Sequence, residues 1–167
     1  MLLKPHIKFK RITDINPLVL KEFGIKALLL DVDNTMSTHH GTVLTDGLLD
    51  WIKEMQESGI KLMVLSNSKK ARIEPFAARI GLPFISLGCK PLPFGYLRGK
   101  KRLGVKCREV AIVGDQIFTD ILGGRCVGIK TVLLTPIKLE DGWSFKVRRY
   151  LEKGVYKLHK IKDYEEK

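Results

Sequence analysis

The sequence has few cysteines and no apolar run long enough to cross a bilayer. Its three cysteines, Cys89, Cys107 and Cys126, are widely spaced, and there is no Cys-x-x-Cys pair or Cys/His zinc pattern. This predicts reduced structural thiols and argues against a disulfide scaffold. A membrane-spanning helix needs ~18–20 apolar residues, so the sequence also argues against a membrane-spanning protein. The first residues, MLLKPHIKFKR, are charged where a signal peptide would be apolar, which predicts a cytoplasmic location.

Acidic residues are also scarce. There are 18 Asp and Glu against 30 Lys and Arg, which gives a net charge of +12. Residues 1–26 hold six basic and two acidic residues, and residues 144–162 hold seven and one; residues 98–108 hold six basic residues and no acid. Such a distribution attracts anions, namely phosphorylated substrates, nucleic acid or acidic lipid headgroups. Ordinary solvated surface is the alternative for any single cluster.

Apolar runs alternate with amphipathic stretches, without an internal repeat or a low-complexity linker. Because short strands without period-2 alternation suit a sheet buried on both faces, this order predicts an α/β fold with a doubly wound parallel sheet. We expect one domain over 1–167, with a basic helical extension from about 138 to 167. The predicted strands span 26–31, 61–65, 84–87, 109–113 and 129–134, and the predicted helices span 46–57, 71–80, 94–103, 116–126 and, with an interruption at Gly154, 143–159.

Polar residues follow the first four predicted strands, where ligands bind in such sheets. Asp31 and Asp33 follow the first strand, and Asp115 follows the fourth. Neighbouring carboxylates repel one another unless a cation lies between them, and Mg²⁺ prefers oxygen ligands. These three aspartates therefore indicate a magnesium site. The alternative is that they cap helices or turns. Ser66 and Lys90, after the second and third strands, would hold the oxygens of a transferring phosphoryl group.

These residues resemble the motifs of the haloacid dehalogenase (HAD) superfamily, in the same order. The segment DVDNT at 31–35 looks like the DxDxT motif, and Ser66, Lys90 and GDQIFTD at 114–120 look like the second, third and fourth motifs. The resemblance covers about residues 14–136. It is closest to the YqeG-type group of subfamily IIIA phosphatases, judged by LSNS, KPL and VGDQIFTDILGG, with a distant similarity to mitochondrial phosphatidylglycerophosphate phosphatases.

The resemblance implies an essentially capless, HAD-like Rossmannoid phosphatase that depends on Mg²⁺. Asp31 would be the nucleophile that forms an aspartyl-phosphate, and Asp33 the general acid and base. The metal would be bound by Asp31, by the backbone carbonyl of Asp33 and by Asp115. Lys90 would be catalytic and would bind the substrate phosphate together with the two polar residues after the second strand. These two residues are Ser66 and Asn67. Thr35 and Asp120 are expected to orient the site. Asp120 follows Asp115 by five positions, where many family members have four between the two acids, so it is a weaker metal candidate than Asp115.

The gaps between motifs leave no room for a folded cap domain. The flap Met36–Thr45 is the only expected lid, and its His39 and His40 would be turn residues or touch substrate. An open site suits a phosphate on a large or membrane-borne molecule such as phosphatidylglycerophosphate. A response-regulator receiver is disfavoured, because it needs an Asp after the third strand, where the sequence reads GCKP.

A second class remains open, namely a basic binding protein for RNA, the ribosome or a membrane, with a vestigial HAD site. The apolar residues of the C-terminal extension are spaced to line one helix face. That face would pack on the sheet edge, or it would lie on an anionic membrane. Its members are Trp143, Val147, Tyr150, Leu151 and Leu158.

Overall fold

The strands and helices alternate along the chain in a computed structural model that describes residues 1–38, 43–138 and 143–164. The strands are β1 (Ile7–Phe9), β2 (Ala27–Leu30), β3 (Lys61–Leu65), β4 (Phe84–Ile85), β5 (Val110–Gly114) and β6 (Lys130–Leu134). The helices are α1 (Pro17–Glu22), α2 (Leu48–Glu57), α3 (Lys70–Ile80), α4 (Pro93–Leu103), α5 (Leu122–Cys126) and α6 (Trp143–His159). A π-helical turn, Ile117–Ile121, leads directly into α5.

All six strands pair in parallel, in the order β1-β6-β5-β2-β3-β4. From β2 the chain first moves outward to β3 and β4, and then returns to the other side of β2 to form β5 and β6. The order therefore reverses between β2 and β5, and ligands of open α/β sheets bind at such a switch point. Because Leu30 pairs with both Val64 and Val113, the loops after β2, β3 and β5 leave the sheet at the same level.

The sheet is buried on both faces, which explains its continuous apolar strands. In β2, Leu28 and Leu30 belong to the core formed with α1, α2 and α3, whereas Ala27 and Leu29 belong to the core formed with α4. Helix α4 approaches the sheet closely through Gly99, where a Cβ atom would lie 2.5 Å from Cδ2 of Leu29. The predicted α/β fold with a doubly wound parallel sheet is thus confirmed.

The predicted elements differ from the structure in three places. The sequence prediction omits helix α1, Pro17–Glu22, and also β1, a three-residue edge strand that pairs with β6 through Ile7 and Val132. The predicted interruption at Gly154 is absent, since α6 continues through it. Glycine weakens a helix interior by only ~0.5–1 kcal/mol, and the burial of the apolar side chain of Val155 next to it offsets that cost.

Helix α6 buries a different face from the one that its apolar residues predict. Trp143, Tyr150 and Leu158 are 82%, 76% and 75% exposed, and Val147 and Leu151 are exposed as well. The alternative in which this stripe packs on the sheet edge is therefore wrong. The inward face instead carries Glu152 and Val155.

The segments between the motifs contain only elements of the sheet and its flanking helices, as far as the described residues extend. The base of the flap is closed by a hydrogen bond from Thr45 N to Met36 O, 2.9 Å long; His39 and His40 lie outside the described residues. Among the helices within the described ranges, none has the length and apolarity to cross a membrane. The cysteines predicted to be reduced are free thiols, namely Cys89, Cys107 and Cys126.

Candidate active site

Three buried carboxylates meet at the switch point of the sheet. Asp31 follows β2, Asp115 follows β5 and Asp120 lies in the π-helical turn, and each offers an oxygen within 4.8 Å of the others. Oδ1 of Asp115 is buried and has no hydrogen-bond partner within the part of the chain that the structure describes. An all-oxygen donor set with an unsatisfied carboxylate oxygen fits a hard divalent cation such as Mg²⁺.

Lys90 lies between two of these carboxylates. Its Nζ is 2.7 Å from Oδ1 of Asp31 and 2.7 Å from Oδ1 of Asp120, and its side chain is 3% exposed. Burial opposes the charge on Lys90, but the two carboxylates outweigh it and the pKa of the ammonium group is raised. Asn67 fixes the backbone of Lys90, because its Oδ1 accepts from Lys90 N at 2.7 Å and its Nδ2 donates to Lys90 O at 3.0 Å.

Burial makes ionisation of the carboxylates costly. It raises the pKa of Asp31, against the lowering effect of Lys90, and the nearby charges of Asp120 and Asp33 raise it further. Burial likewise raises the pKa of Asp115, against the lowering effect of Arg149. A bound divalent cation would therefore favour the ionised form of both side chains.

The carboxylate of Asp33 is held by α3 rather than by the group of Asp31, Asp115 and Asp120. Nη1 of Arg72 donates to Oδ2 of Asp33 at 2.9 Å, Nη2 donates to Oδ1, and Nη1 also donates to Oγ of Ser68. Only the backbone carbonyl of Asp33 is expected to reach the metal, and that expectation stays a prediction. Arg72 is a site residue that the sequence prediction missed.

The fourth motif contains a π-helical turn that accommodates the step of five positions between Asp115 and Asp120. Ile121 N donates to Gln116 O at 3.3 Å, five positions back, which is the π-helical pattern. Oδ2 of Asp120 accepts from Gln116 N at 3.2 Å. A Cβ atom on Gly114 would overlap the Asp120 carboxylate. The glycine thus provides the space that lets Asp120 reach Lys90.

The remaining predicted residues lie at the same edge of the sheet. Ser66 directly follows β3; its side chain is buried, and its Oγ accepts from Ser68 N at 3.1 Å. Thr35 is buried, and its Oγ1 has no hydrogen-bond partner among the residues described. Sequence reasoning also missed Arg149 and Glu152, because no strand-end position marks them; both belong to α6.

A family profile described as haloacid dehalogenase-like hydrolase matches residues 9–128. The chain belongs to this family, and it is an enzyme of the hydrolase class. It is 33% identical, over 155 residues, to "Probable phosphatase YqeG" of Bacillus subtilis (strain 168), a match that covers 93% of this chain and 90% of that protein. The predicted resemblance to the YqeG-type group is therefore confirmed.

A plant protein and several solved structures are more distantly similar. The chain is 28% identical, over 163 residues, to "Phosphatidylglycerophosphate phosphatase 1, chloroplastic/mitochondrial" of Arabidopsis thaliana. This match covers 92% of this chain and 47% of that protein. The cobalt-bound deoxy-D-mannose-octulosonate 8-phosphate phosphatase of Haemophilus influenzae has a TM-score of 0.53 at 21% identity, over 68% of this chain and 70% of that one. An uncharacterized Listeria monocytogenes protein has a TM-score of 0.59 at 16% identity, over 82% and 100%. These two structures share the fold.

Proposed function

We propose that the chain is a Mg²⁺-dependent phosphatase that transfers the phosphoryl group of a phosphomonoester to Asp31. The observation that carries this proposal is the buried position of Asp31 beside the ammonium group of Lys90 and the carboxylates of Asp115 and Asp120. This combination of a carboxylate nucleophile, a cation and a metal-binding donor set suits an anionic phosphate ester. Phosphatase names among the relatives support the same reaction.

Two displacements at phosphorus complete the proposed reaction. A carboxylate oxygen of Asp31 forms a bond to phosphorus as the bond to the leaving oxygen breaks, and Asp33 gives that oxygen its proton. A water oxygen then forms a bond to phosphorus as the bond between phosphorus and the Asp31 oxygen breaks; Asp33 takes a proton from the water, the Asp31 carboxylate is restored and inorganic phosphate leaves. Because Arg72 binds the ionised carboxylate of Asp33, we expect protonation of Asp33 to displace one of their hydrogen bonds.

The substrate phosphate would be held by groups that converge at the carboxyl edge of the sheet. The Ser66 hydroxyl, the backbone N–H of Asn67 and the Lys90 ammonium are the proposed donors to its oxygens. Mg²⁺, held by Asp31, Asp115 and the Asp33 carbonyl, would reduce the repulsion between the nucleophile and the phosphate. Asp120 is a further candidate ligand of Mg²⁺, because its carboxylate lies close to those of Asp31 and Asp115.

Release of phosphate from an aryl phosphate tests this proposal. The wild-type chain should hydrolyse the ester with Mg²⁺ and lose activity in EDTA, which Mg²⁺ should restore. Asp31→Asn should lower turnover by at least ~10³-fold while the circular dichroism spectrum stays unchanged, because a covalent nucleophile is lost. Metal-independent turnover, or Asp31→Asn retaining more than about a tenth of the activity, would exclude the mechanism. No turnover by the wild type would favour a binding protein with a vestigial site.

We further propose a membrane-borne substrate, such as phosphatidylglycerophosphate, which the name of the Arabidopsis relative includes. Support comes from two groups of exposed apolar side chains. One lies around Lys90 and along the first half of α4. The other is the outward stripe of α6, which consists of Trp143, Val147, Tyr150, Leu151 and Leu158. The chain from 98 to 108 adds six basic residues without an acid. An apolar surface with basic neighbours suits peripheral contact with an anionic membrane from the cytoplasm. The exposed set around Lys90 is Leu87, Leu92, Phe94 and Leu97.

Sedimentation with vesicles tests the membrane proposal. The wild-type chain should bind acidic vesicles at low salt, bind neutral vesicles less, and dissociate at high salt, because salt screens the attraction. The double variant Tyr150→Ser/Leu158→Ser should weaken binding and keep aryl phosphate hydrolysis. Leu49→Ser, an exposed leucine on α2, is the matched control. Equal sedimentation with both vesicle types would contradict the proposal and direct attention to soluble or RNA-linked phosphates.

We also propose that the whole chain, 1–167, acts as one catalytic domain that includes its C-terminal extension. Helix α6 contacts the loop after β5 through hydrogen bonds to Asp115, Gln116 and Ile117. A deletion of the extension would therefore disturb the site itself. Point variants on the exposed face of α6 separate membrane contact from catalysis.

A further inference from the structure

Helix α6 lies beyond residue 128, where the match to the HAD-like hydrolase profile ends, and yet it reaches the catalytic edge of the sheet. Arg148 Nη1 donates to Oε1 of Gln116 at 2.7 Å. Arg149 contacts Asp115 on one side of Gln116, and Glu152 contacts Ile117 on the other. Three consecutive residues of the fourth motif are thus held by a helix that the family pattern does not include.

Arg149 holds both the side chain and the backbone of Asp115. Its Nη2 forms an ion pair with Oδ2 of Asp115, and its Nη1 donates to the Asp115 carbonyl oxygen at 3.0 Å. Nη1 also donates to Oε2 of Glu152 at 2.8 Å. The planar guanidinium group has donors in a fixed geometry, so contacts to two parts of one residue restrict its orientation. A lysine could not reproduce this arrangement.

Glu152 completes the arrangement from the same face of α6. It is 3% exposed, and its Oε1 accepts from Ile117 N at 2.8 Å while its Oε2 accepts from Arg149. The Arg149–Glu152 pair therefore fixes the chain on both sides of Gln116. Buried ion pairs contribute little net stability, because the desolvation of the charges opposes their attraction. A role in orienting Asp115 accounts better for the buried charge of Glu152 and the partly buried charge of Arg149 at this place.

We infer that Arg149 is a positioning residue for the metal site. By binding Oδ2 and the carbonyl of Asp115, it leaves the other carboxylate oxygen, Oδ1, for the divalent cation; that oxygen is buried and has no hydrogen-bond partner among the described residues. The inference rests on the proposed function in one respect, namely that Asp115 binds the metal. It adds a residue of the C-terminal extension to the machinery of the site.

Arg149 could instead compete with the metal, its positive charge taking the place of the cation. The two roles predict opposite changes in Mg²⁺ affinity when Arg149 is removed: loss of a competitor would tighten metal binding, and loss of a positioning residue would weaken it. The geometry favours positioning, because the guanidinium group also binds the Asp115 carbonyl and Glu152. Those contacts hold it on the α6 side of the loop and do not require an empty metal site.

Calorimetric titration of the full chain with Mg²⁺, without substrate, tests the inference. Arg149→Ala should weaken Mg²⁺ binding by ~10–100-fold, the usual effect of losing a residue that orients a metal ligand. Arg149→Lys should give an intermediate loss, since it keeps the charge but not the paired donors. Lys153→Gln, which removes one exposed positive charge from the same helix, is the matched control and should bind Mg²⁺ as the wild type does.

Kinetics with an aryl phosphate provide a second readout. In Arg149→Ala the Mg²⁺ concentration for half-maximal rate should rise with the dissociation constant, while KM at saturating Mg²⁺ stays within ~3-fold of the wild-type value, because the phosphate donors are intact. A general disturbance of the site would instead change KM as strongly as the metal dependence. Cooperative thermal unfolding of each variant verifies its fold.

The outcomes separate this inference from the proposed function. Unchanged or tighter Mg²⁺ binding by a folded Arg149→Ala variant would overturn the positioning role and leave the phosphatase proposal intact. Absence of Mg²⁺ binding by the wild-type chain would overturn both. If Arg149→Ala does not fold, Arg149→Lys and Glu152→Gln decide the matter; Glu152→Gln keeps an acceptor for Ile117 N and removes the ion pair with Arg149. Wild-type Mg²⁺ affinity in both would also overturn the role.

Discussion

The ammonium group of Lys90 lies 2.7 Å from Oδ1 of Asp31 and 2.7 Å from Oδ1 of Asp120. All three side chains are buried. A single cation therefore separates two carboxylates that would otherwise repel one another at low dielectric. The same ammonium group is the proposed ligand of a phosphoryl oxygen, so it links the stability of the site to its chemistry.

Lys90→Ala should strongly destabilise the chain in the absence of metal. Removing one partner of a buried ion pair leaves uncompensated charge and typically costs about 3–5 kcal/mol in the free energy of unfolding. Urea denaturation in EDTA measures this quantity. The control is Lys101→Ala on the exposed side of α4, which should change it by no more than about 0.5 kcal/mol. Equal effects of the two substitutions would contradict the role of Lys90.

Asp33→Asn should slow the first displacement most for substrates with poor leaving groups. A general acid contributes ~10²–10⁴-fold when the leaving oxygen needs a proton, and much less when the leaving group is a nitrophenolate. Single-turnover release of the alcohol from an alkyl phosphate and of nitrophenol from its phosphate ester measures the two effects. The assignment of Asp33 as the general acid fails if both rates fall equally.

His6 should make the folded state sensitive to mild acid. Burial and the nearby charges of Arg125 and Lys130 lower the pKa of His6 to about 4, from about 6.5 in the unfolded chain. Between these values the unfolded chain binds a proton that the folded chain excludes, so stability is fully present above pH ~6.5 and decreases as the pH falls toward ~4. Arg125 Nη1 lies 2.6 Å from His6 Nε2, where it can donate to the neutral ring.

The test is the free energy of unfolding of the wild type and of His6→Gln at pH 7 and pH 5. The wild type should lose more stability than His6→Gln over this interval, since glutamine does not titrate. Titrating carboxylates affect both chains alike and cancel in the comparison. An equal loss in both chains would show that the pKa of His6 is unshifted.

Two glycine-to-alanine substitutions should have opposite effects. Gly154 lies in the interior of α6, where a Cβ atom would meet no atom within 4 Å. Gly154→Ala should therefore raise the free energy of unfolding by about 0.5–1 kcal/mol. Gly114→Ala should lower stability and activity, because its Cβ would overlap the carboxylate of Asp120. Thermal unfolding compares the two; stabilisation by Gly114→Ala would contradict the close approach of Asp120.

The sequence contains enough information to predict the sheet and the strand-end residues. Continuous apolar runs such as β2 and β5 mark strands buried on both faces, and parallel strands bring their carboxyl ends, with Asp31 and Asp115, to one edge. The short edge strand β1 has too few residues to form a pattern. Its place depends on pairing with β6, which no local signal specifies.

The partners of the predicted site residues could not be predicted in the same way. Arg72 and Arg149 lie on helices among many other basic residues, and only the packing of α3 and α6 brings them to Asp33 and Asp115. In α6 the stripe that includes Trp143, Tyr150 and Leu158 points outward, whereas the charged pair Arg149–Glu152 points inward together with Val155. Hydrophobic periodicity predicts the reverse, because it assumes that the apolar face is the buried one.

Covalent capture of the phosphoryl group on Asp31 during turnover would identify the nucleophile directly. Wild-type chain with Mg²⁺ and excess aryl phosphate should be quenched in acid within one turnover, digested and analysed by mass spectrometry. One added phosphoryl group is expected on the peptide that contains Asp31, and it should be absent from Asp31→Asn and from samples in EDTA. Turnover with no label on that peptide, or with the label on another residue, would contradict the assignment of Asp31 as the nucleophile.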